Sequence, residues 1–383
     1  MFKRDIEDEI MEMAKSYPIV TLLGPRQSGK TTVLKMLFPN KPYVSMENPD
    51  ERLLAEQDPR RFLDRFQTGA VIDEVQRVPF LLSYLQDIVD RRPKEKGLFI
   101  LTGSHQLSLH EAISQSLAGR TALLTLFPLS LHELKGFSVN DYLFHGMYPR
   151  IHAEQIDSTK FYRDYIANYV ERDVRQMINV KDLILFQKFL KLCAGRVGQL
   201  LNIQSLTNEV GVSHTTINNW LSILEASFII FRLPPYFDNF GKRLIKMPKI
   251  YFTDTGLARY LLDILTIEQL ERDPLRGNLF ENFVIMECIK HQLNRGIEPR
   301  FYFYRDSNQN EVDCLYRKGS KIVAIEVKSA QTFSSHFLLG LSHFQKIAKE
   351  KFDKGFVVYT GSQEQDIGEY TLINFLNIAH VFE

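Results

Sequence analysis

Residues 24–31 read Gly24-Pro25-Arg26-Gln27-Ser28-Gly29-Lys30-Thr31 and fit the phosphate-loop pattern G-x-x-x-x-G-K-[ST] at every fixed position. The flanks fit as well. An apolar run, Ile19-Val20-Thr21-Leu22-Leu23, precedes the loop, and a helix-like stretch from Thr32 to Phe38 follows it. The order has a physical reason. Glycines let backbone N–H groups approach phosphate oxygens, and the helix that follows turns its positive end toward them. The segment from Gly24 to Thr32 is therefore expected to cradle a nucleoside triphosphate. Lys30 would reach the β- and γ-phosphates, and Thr31 would offer its hydroxyl to Mg²⁺.

The next apolar segments extend this reading. Tyr43-Val44-Ser45 is a short strand candidate, and Gly69-Ala70-Val71-Ile72 is another that ends in Asp73-Glu74. Paired acids at a strand end suit the second half of such a site, with Asp73 holding Mg²⁺ through water and Glu74 polarising the attacking water. A third strand, Leu98-Phe99-Ile100-Leu101, ends in Thr102-Gly103-Ser104. Either hydroxyl could sense the γ-phosphate. Arg120 follows, and could neutralise phosphate charge within its own chain or in a neighbour, or be an ordinary surface arginine. Strands alternating with helices predict a mostly parallel α/β sheet with the ligand at its C-terminal edge.

In order, the segments 24–31, 70–79, 99–107, 116–120 and 127–134 resemble a family of prokaryotic AAA-type ATPases whose C-terminal half is a domain of unknown function. His145 to Arg150, Tyr169 to Val174 and Tyr251 to Leu257 extend the resemblance over nearly the whole chain. It implies an AAA-like core with ATP as ligand, and Lys30, Asp73 and Glu74 in the roles above. It also supports a functional Arg120. A single-chain layout of this kind does not require a ring, which leaves the oligomeric state open.

At 383 residues there is room for two or three domains. No apolar run approaches membrane-span length, and the charged start from Met1 to Glu9 does not read as a secretory signal. The three dispersed cysteines, Cys193, Cys288 and Cys314, fit a reducing compartment, so a cytoplasmic location is expected. The net charge of +1 hides an asymmetry. Between Lys181 and Ile250, nine Lys/Arg face four Asp/Glu, and such a local basic stretch is the signal that matters for nucleic acid.

Within it, Ile203 to Leu224 reads as helix-turn-helix. Leu206 and Val210 share one face, Gly211 makes the turn and Ser213 caps the second helix. Ile217, Leu221 and Leu224 should pack inward, leaving His214, Thr215, Asn218 and Asn219 outside. Lys242, Arg243, Lys246 and Lys249 would form the basic wing of a winged helix. DNA is then an expected partner, with an asparagine at base edges and the wing on phosphates. The second helix lacks Lys and Arg, however, so a protein partner is the competing expectation.

The last third carries a second constellation. Asn310 to Tyr316 and Val323 to Lys328 read as strands, with Val323, Ile325 and Val327 on one face and Ala324, Glu326 and Lys328 on the other. Asp313, 13 residues before Glu326, completes D-x(n)-E-x-K, which resembles the PD-(D/E)XK nuclease core. The resemblance implies Asp313 and Glu326 on Mg²⁺ or Mn²⁺, Lys328 on the attacking water, and a further ligand in Glu281, at the start of a helix. Gln345 is a weaker candidate. Binding without cleavage is the alternative.

The expected architecture is thus an AAA-like ATPase (1–165), a helical and winged-helix middle (166–250) and a restriction-endonuclease-like α/β domain (251–383). The expected function is ATP-gated DNA processing, with an ATP-dependent switch or adaptor as its rival.

Overall fold

A computed structural model of the chain describes residues 2–104, 116–170, 183–237 and 246–383. The first sheet has the order β2-β3-β4-β1-β5 and is parallel throughout. Its strands are β1 (Ile19–Leu23), β2 (Tyr43–Ser45), β3 (Ala70–Asp73), β4 (Phe99–Gly103) and β5 (Thr121–Thr125). β1 is buried along its length because both faces are covered. Ile19 and Leu23 join one core, while Val20 and Leu22 join another beneath helix Glu7–Ser16. The C-terminal ends of β1, β3 and β4 lie side by side, which brings residues 24–31, 73–74 and 102–104 to one edge.

Helices Ile203–Val210 and His214–Ala226 follow the expected pattern. Asn202 and Ser213 cap them with their side chains, and Leu206, Val210, Ile217, Leu221 and Leu224 are buried. His214, Thr215 and Asn219 are exposed and Asn218 is half-buried. An antiparallel pair follows, β6 (Ile230–Leu233) and β7 (Lys249–Phe252). Lys242 and Arg243 lie outside the described residues, as does the stretch from Glu171 to Val174. Lys246 is exposed, but Lys249 is only 2% exposed and sits within β7. The sequence reading of Lys249 as part of a basic wing is corrected: its charge is consumed inside the protein.

The last sheet has the order β12-β13-β11-β10-β9-β8. These are β8 (Phe301–Arg305), β9 (Glu311–Lys318), β10 (Lys321–Lys328), β11 (Phe352–Tyr359), β12 (Gln365–Ile367) and β13 (Tyr370–Asn374). β10 and β13 run parallel to β11, and the remaining pairs are antiparallel. As expected, Val323, Ile325 and Val327 share one core, while Ala324 packs into the other with Leu341 and Phe344. Helix Arg276–Leu293 lies against the first of these faces. Glu281 is in its second turn, not at its start, because the helix begins five residues earlier.

The first and last sheets are not insulated from each other. One continuous cluster of buried apolar side chains runs from Ile19 and Leu129 through Phe189 and Leu224 to Phe283, Phe375 and Val381.

Candidate functional site: a phosphate-loop cleft and a carboxylate cluster

Gly24 leaves β1 at φ +148°, and a Cβ there would lie 2.1 Å from the Leu126 carbonyl oxygen. Only glycine fits that approach. The loop closes on helix Lys30–Leu37, and the Lys30 ammonium donates back to the Gly24 and Pro25 carbonyls at 2.9 and 2.8 Å. Burial lowers the Lys30 pKa to about 8, opposed by Glu74 and Asp73. From outside, the buried Arg4 donates to the Ser28 carbonyl (2.6 Å) and the Phe127 carbonyl (2.7 Å), and pairs with Glu133 (3.1 Å).

Asp73, at the end of β3, gathers hydroxyls. It accepts from Thr31 at 3.1 Å, from Tyr43 at 2.7 Å and from Thr102. The left-handed Glu74 (φ +57°) donates its N–H to the Thr102 hydroxyl at 3.0 Å. Its carboxylate accepts from Ser104 at 3.1 Å and from Gln76. The two hydroxyls left open by sequence are thus divided, with Thr102 on Asp73 and Ser104 on Glu74. Arg26, Gln27, Gly29, Thr31, Thr32 and Glu74 line a cleft of about 540 Å³, which Arg150 borders from helix Pro149–Glu154. Thr31 and Asp73 offer adjacent hard oxygens, a donor set that fits Mg²⁺.

Arg120 is elsewhere. Its carbonyl accepts from Ile19 N, at the entry to β1, and its guanidinium is paired with Asp90 at 2.6 and 2.8 Å. The five residues of β1 separate that end from the phosphate loop, a span of roughly 15 Å at the usual strand rise. Arg120 therefore does not reach a nucleotide in its own chain, and the in-chain reading is corrected.

The second constellation is also assembled, with an addition that sequence reasoning missed. Lys249 extends from β7 to Glu281 (2.9 Å), Glu311 (2.5 Å) and Asp313 (3.8 Å). The Tyr251 hydroxyl donates to Glu281. Asp313 also accepts from Val327 N at 2.8 Å, and Lys328 pairs with Glu326 at 2.6 Å. Burial raises the pKa of Glu281, opposed by Lys249, and burial with Asp313 raises that of Glu326. Gln345 accepts from the Tyr370 hydroxyl. Among the described residues no group of three or more His, Cys, Asp or Glu is arranged to hold a metal ion. With an ammonium among its carboxylates, this site does not fit the divalent cation expected from the sequence.

A third feature joins the two halves. Glu287 and Lys290 of helix Arg276–Leu293, both 3% exposed, pair at 2.8 Å. Glu287 accepts from Leu131 N at 2.7 Å, and Lys290 donates to the Leu129 carbonyl at 2.7 Å. The same helix carries Glu281.

The parallel sheet and its phosphate loop define a P-loop ATPase-like core. A profile described as an AAA domain matches residues 16–135; two profiles described as domains of unknown function, DUF8612 and DUF4143, match 136–268 and 276–379. Uncharacterized proteins Rv2008c of Mycobacterium tuberculosis and Mb2031c of Mycobacterium bovis are each 32% identical over 337 residues, 86% of this chain and 74% of theirs. The chain belongs to the same family as these mycobacterial proteins. Among solved structures, the Walker-type ATPase PABY2304 of Pyrococcus abyssi is similar over 68% of this chain and 96% of that one, at 15% identity and a TM-score of 0.45. No helix among the described residues is long and apolar enough to cross a membrane.

Proposed function

We propose that the chain is an ATP-hydrolysing switch whose nucleotide state is read out by the part of the chain beyond its phosphate-loop core. One observation carries the first half: Lys30, Thr31, Asp73 and Glu74 converge on one cleft, with Ser104 holding Glu74 from behind. The backbone from Gly24 to Thr32 would cradle the phosphates. Lys30 would exchange the Gly24 and Pro25 carbonyls for β- and γ-phosphate oxygens. Thr31 and Asp73 would hold Mg²⁺, which when bound offsets phosphate charge. Glu74, oriented by Ser104 and Gln76, would take the proton of the attacking water.

The test is ATP turnover and fluorescent-nucleotide binding by Lys30→Ala. Turnover should fall by roughly 10²–10³-fold, the usual effect of removing a charge-stabilising donor, with weaker binding. Unchanged turnover would sink the assignment.

The readout is proposed to involve DNA, through the exposed His214 and Thr215, through Asn218, and through Lys242 and Arg243. The support is the basic stretch between Lys181 and Ile250. If DNA binds, the slope of log affinity on log salt should become shallower by roughly 1.8 in Lys242→Ala/Arg243→Ala, about 0.9 for each lost phosphate contact. No binding at low salt would leave a protein partner. The division at 165 and 250 belongs to this proposal. A second reading keeps phosphodiester cleavage at Asp313, Glu326 and Lys328, favoured by the E-x-K alternation on β10 beside Asp313.

A further inference from the structure

Glu281, Glu311, Asp313 and Glu326 come from one helix and two strands; Arg305 and Lys328 meet their charge from within that sheet and Lys249 from outside it. Lys249 belongs to β7, which pairs with β6. Its backbone is fixed on the other side as well, where Leu201 N donates to the Pro248 carbonyl and Ile250 N to the Gln199 carbonyl. The ammonium is therefore delivered into the cluster by a rigid element. There it stands 2.9 Å from Glu281, 2.5 Å from Glu311 and 3.8 Å from Asp313, with three carboxylates around one ammonium. Arg305 reaches Glu311 from the far side at 2.9 Å. Glu326 keeps one buried oxygen, Oε2, without a hydrogen-bond partner, and it is 8% exposed. A buried carboxylate oxygen in that condition is costly and marks an acceptor that the ammonium groups do not fully satisfy.

A divalent cation would need several of these oxygens at about 2.0–2.6 Å. It cannot share that space with an ammonium already in contact with two of them and repelling it at close range.

We propose that the Lys249 ammonium is the resident cation of this carboxylate site, and that the chain takes up a hard divalent cation there only when Lys249 is removed. This inference is independent of the ATPase reading, which concerns another cleft. It opposes the cleavage reading, because the wild-type cluster then holds no metal with which to activate water.

The test is Mn²⁺ titration of the full-length, nucleotide-free chain, followed by the electron paramagnetic resonance signal of free Mn²⁺. Wild type and Asp313→Asn should take up the same amount. Lys249→Met should gain about one Mn²⁺ per chain, tighter than the background by a factor of ten or more, since it frees several oxygens at once. Lys249→Met/Asp313→Asn should lose that gain, and Lys249→Arg should not show it. ATP turnover serves as the folding control. Asp313-dependent uptake by wild type overturns the proposal by itself, even if Lys249→Met fails to fold. A folded Lys249→Met that takes up no extra Mn²⁺ overturns it too. Asp313-dependent nicking of plasmid by wild type would do the same and would restore the cleavage reading.

Discussion

Glu74→Gln should lower the steady-state ATP turnover by roughly 10²–10⁴-fold, the usual contribution of a positioned general base, while nucleotide binding stays close to wild type. The split follows from what the side chain touches. Its carboxylate is held by Ser104 and Gln76 and makes no contact with Lys30 or Thr31 among its hydrogen bonds. The amide keeps the size and the hydrogen bonds but cannot accept a proton from water. Ser104→Ala is the companion variant. It leaves the base in place but loosens it, so turnover should fall by a smaller factor and recover in Ser104→Thr. If Glu74→Gln turns over ATP at the wild-type rate, water activation belongs to another group, and the cleft would be a nucleotide-binding site of a different kind.

The second large effect is expected in the segment that follows β7. Asp254, 3% exposed, caps helix Thr255–Leu261 through Leu257 N (3.1 Å). It also accepts from the Tyr162 hydroxyl at 2.6 Å and from Met147 N at 2.7 Å. Gly146 makes room for this: a Cβ there would lie 2.0 Å from the Tyr162 hydroxyl oxygen and 2.4 Å from Asp254. Five residues on, the fully buried Arg259 donates to the Phe144 carbonyl (2.7 Å), Ser158 (2.7 Å), Thr159 (3.0 Å) and the Ile264 carbonyl (3.1 Å). Asp254→Ala strands two buried N–H donors, at on the order of 3–5 kcal/mol. In thermal unfolding the midpoint should drop by on the order of 10 °C. Arg259→Met should act similarly by leaving its carbonyl acceptors unpaired. A shift within about 2 °C for both, as for an ordinary surface substitution, would mean that solvent reaches this network and satisfies it.

What the sequence made legible was local or periodic. The phosphate loop is a contiguous pattern, and the burial of β1 and β10 follows from runs and alternations that one sheet imposes on itself. Asp73 and Glu74 were readable because a strand end fixes where they point. The misreadings share a cause. Lys249 looks like a surface lysine because its neighbours, Pro248 and Lys246, read as a loop; its three carboxylate partners lie 32, 62 and 64 residues away. Arg120 follows the catalytic segments in sequence, yet a parallel strand returns to the opposite end of the sheet before it starts. Tyr43 on Asp73, Arg4 on the loop and Glu287–Lys290 on residues 129–131 had no local signal. Each is a long-range polar contact, specified by the assembled fold and not by any repeat in the chain.

The shared core has one more consequence. A chain whose first and last sheets were separate beads could exchange its C-terminal third by recombination and keep its phosphate-loop core. Here Phe283 stacks on Tyr142, Phe375 meets the same ring edge-on, and Glu287 accepts from the Leu131 amide. Severing the C-terminal third would expose a wide apolar wound on the ATPase. A different C-terminal third would have to match this buried surface before it could be joined to the same core.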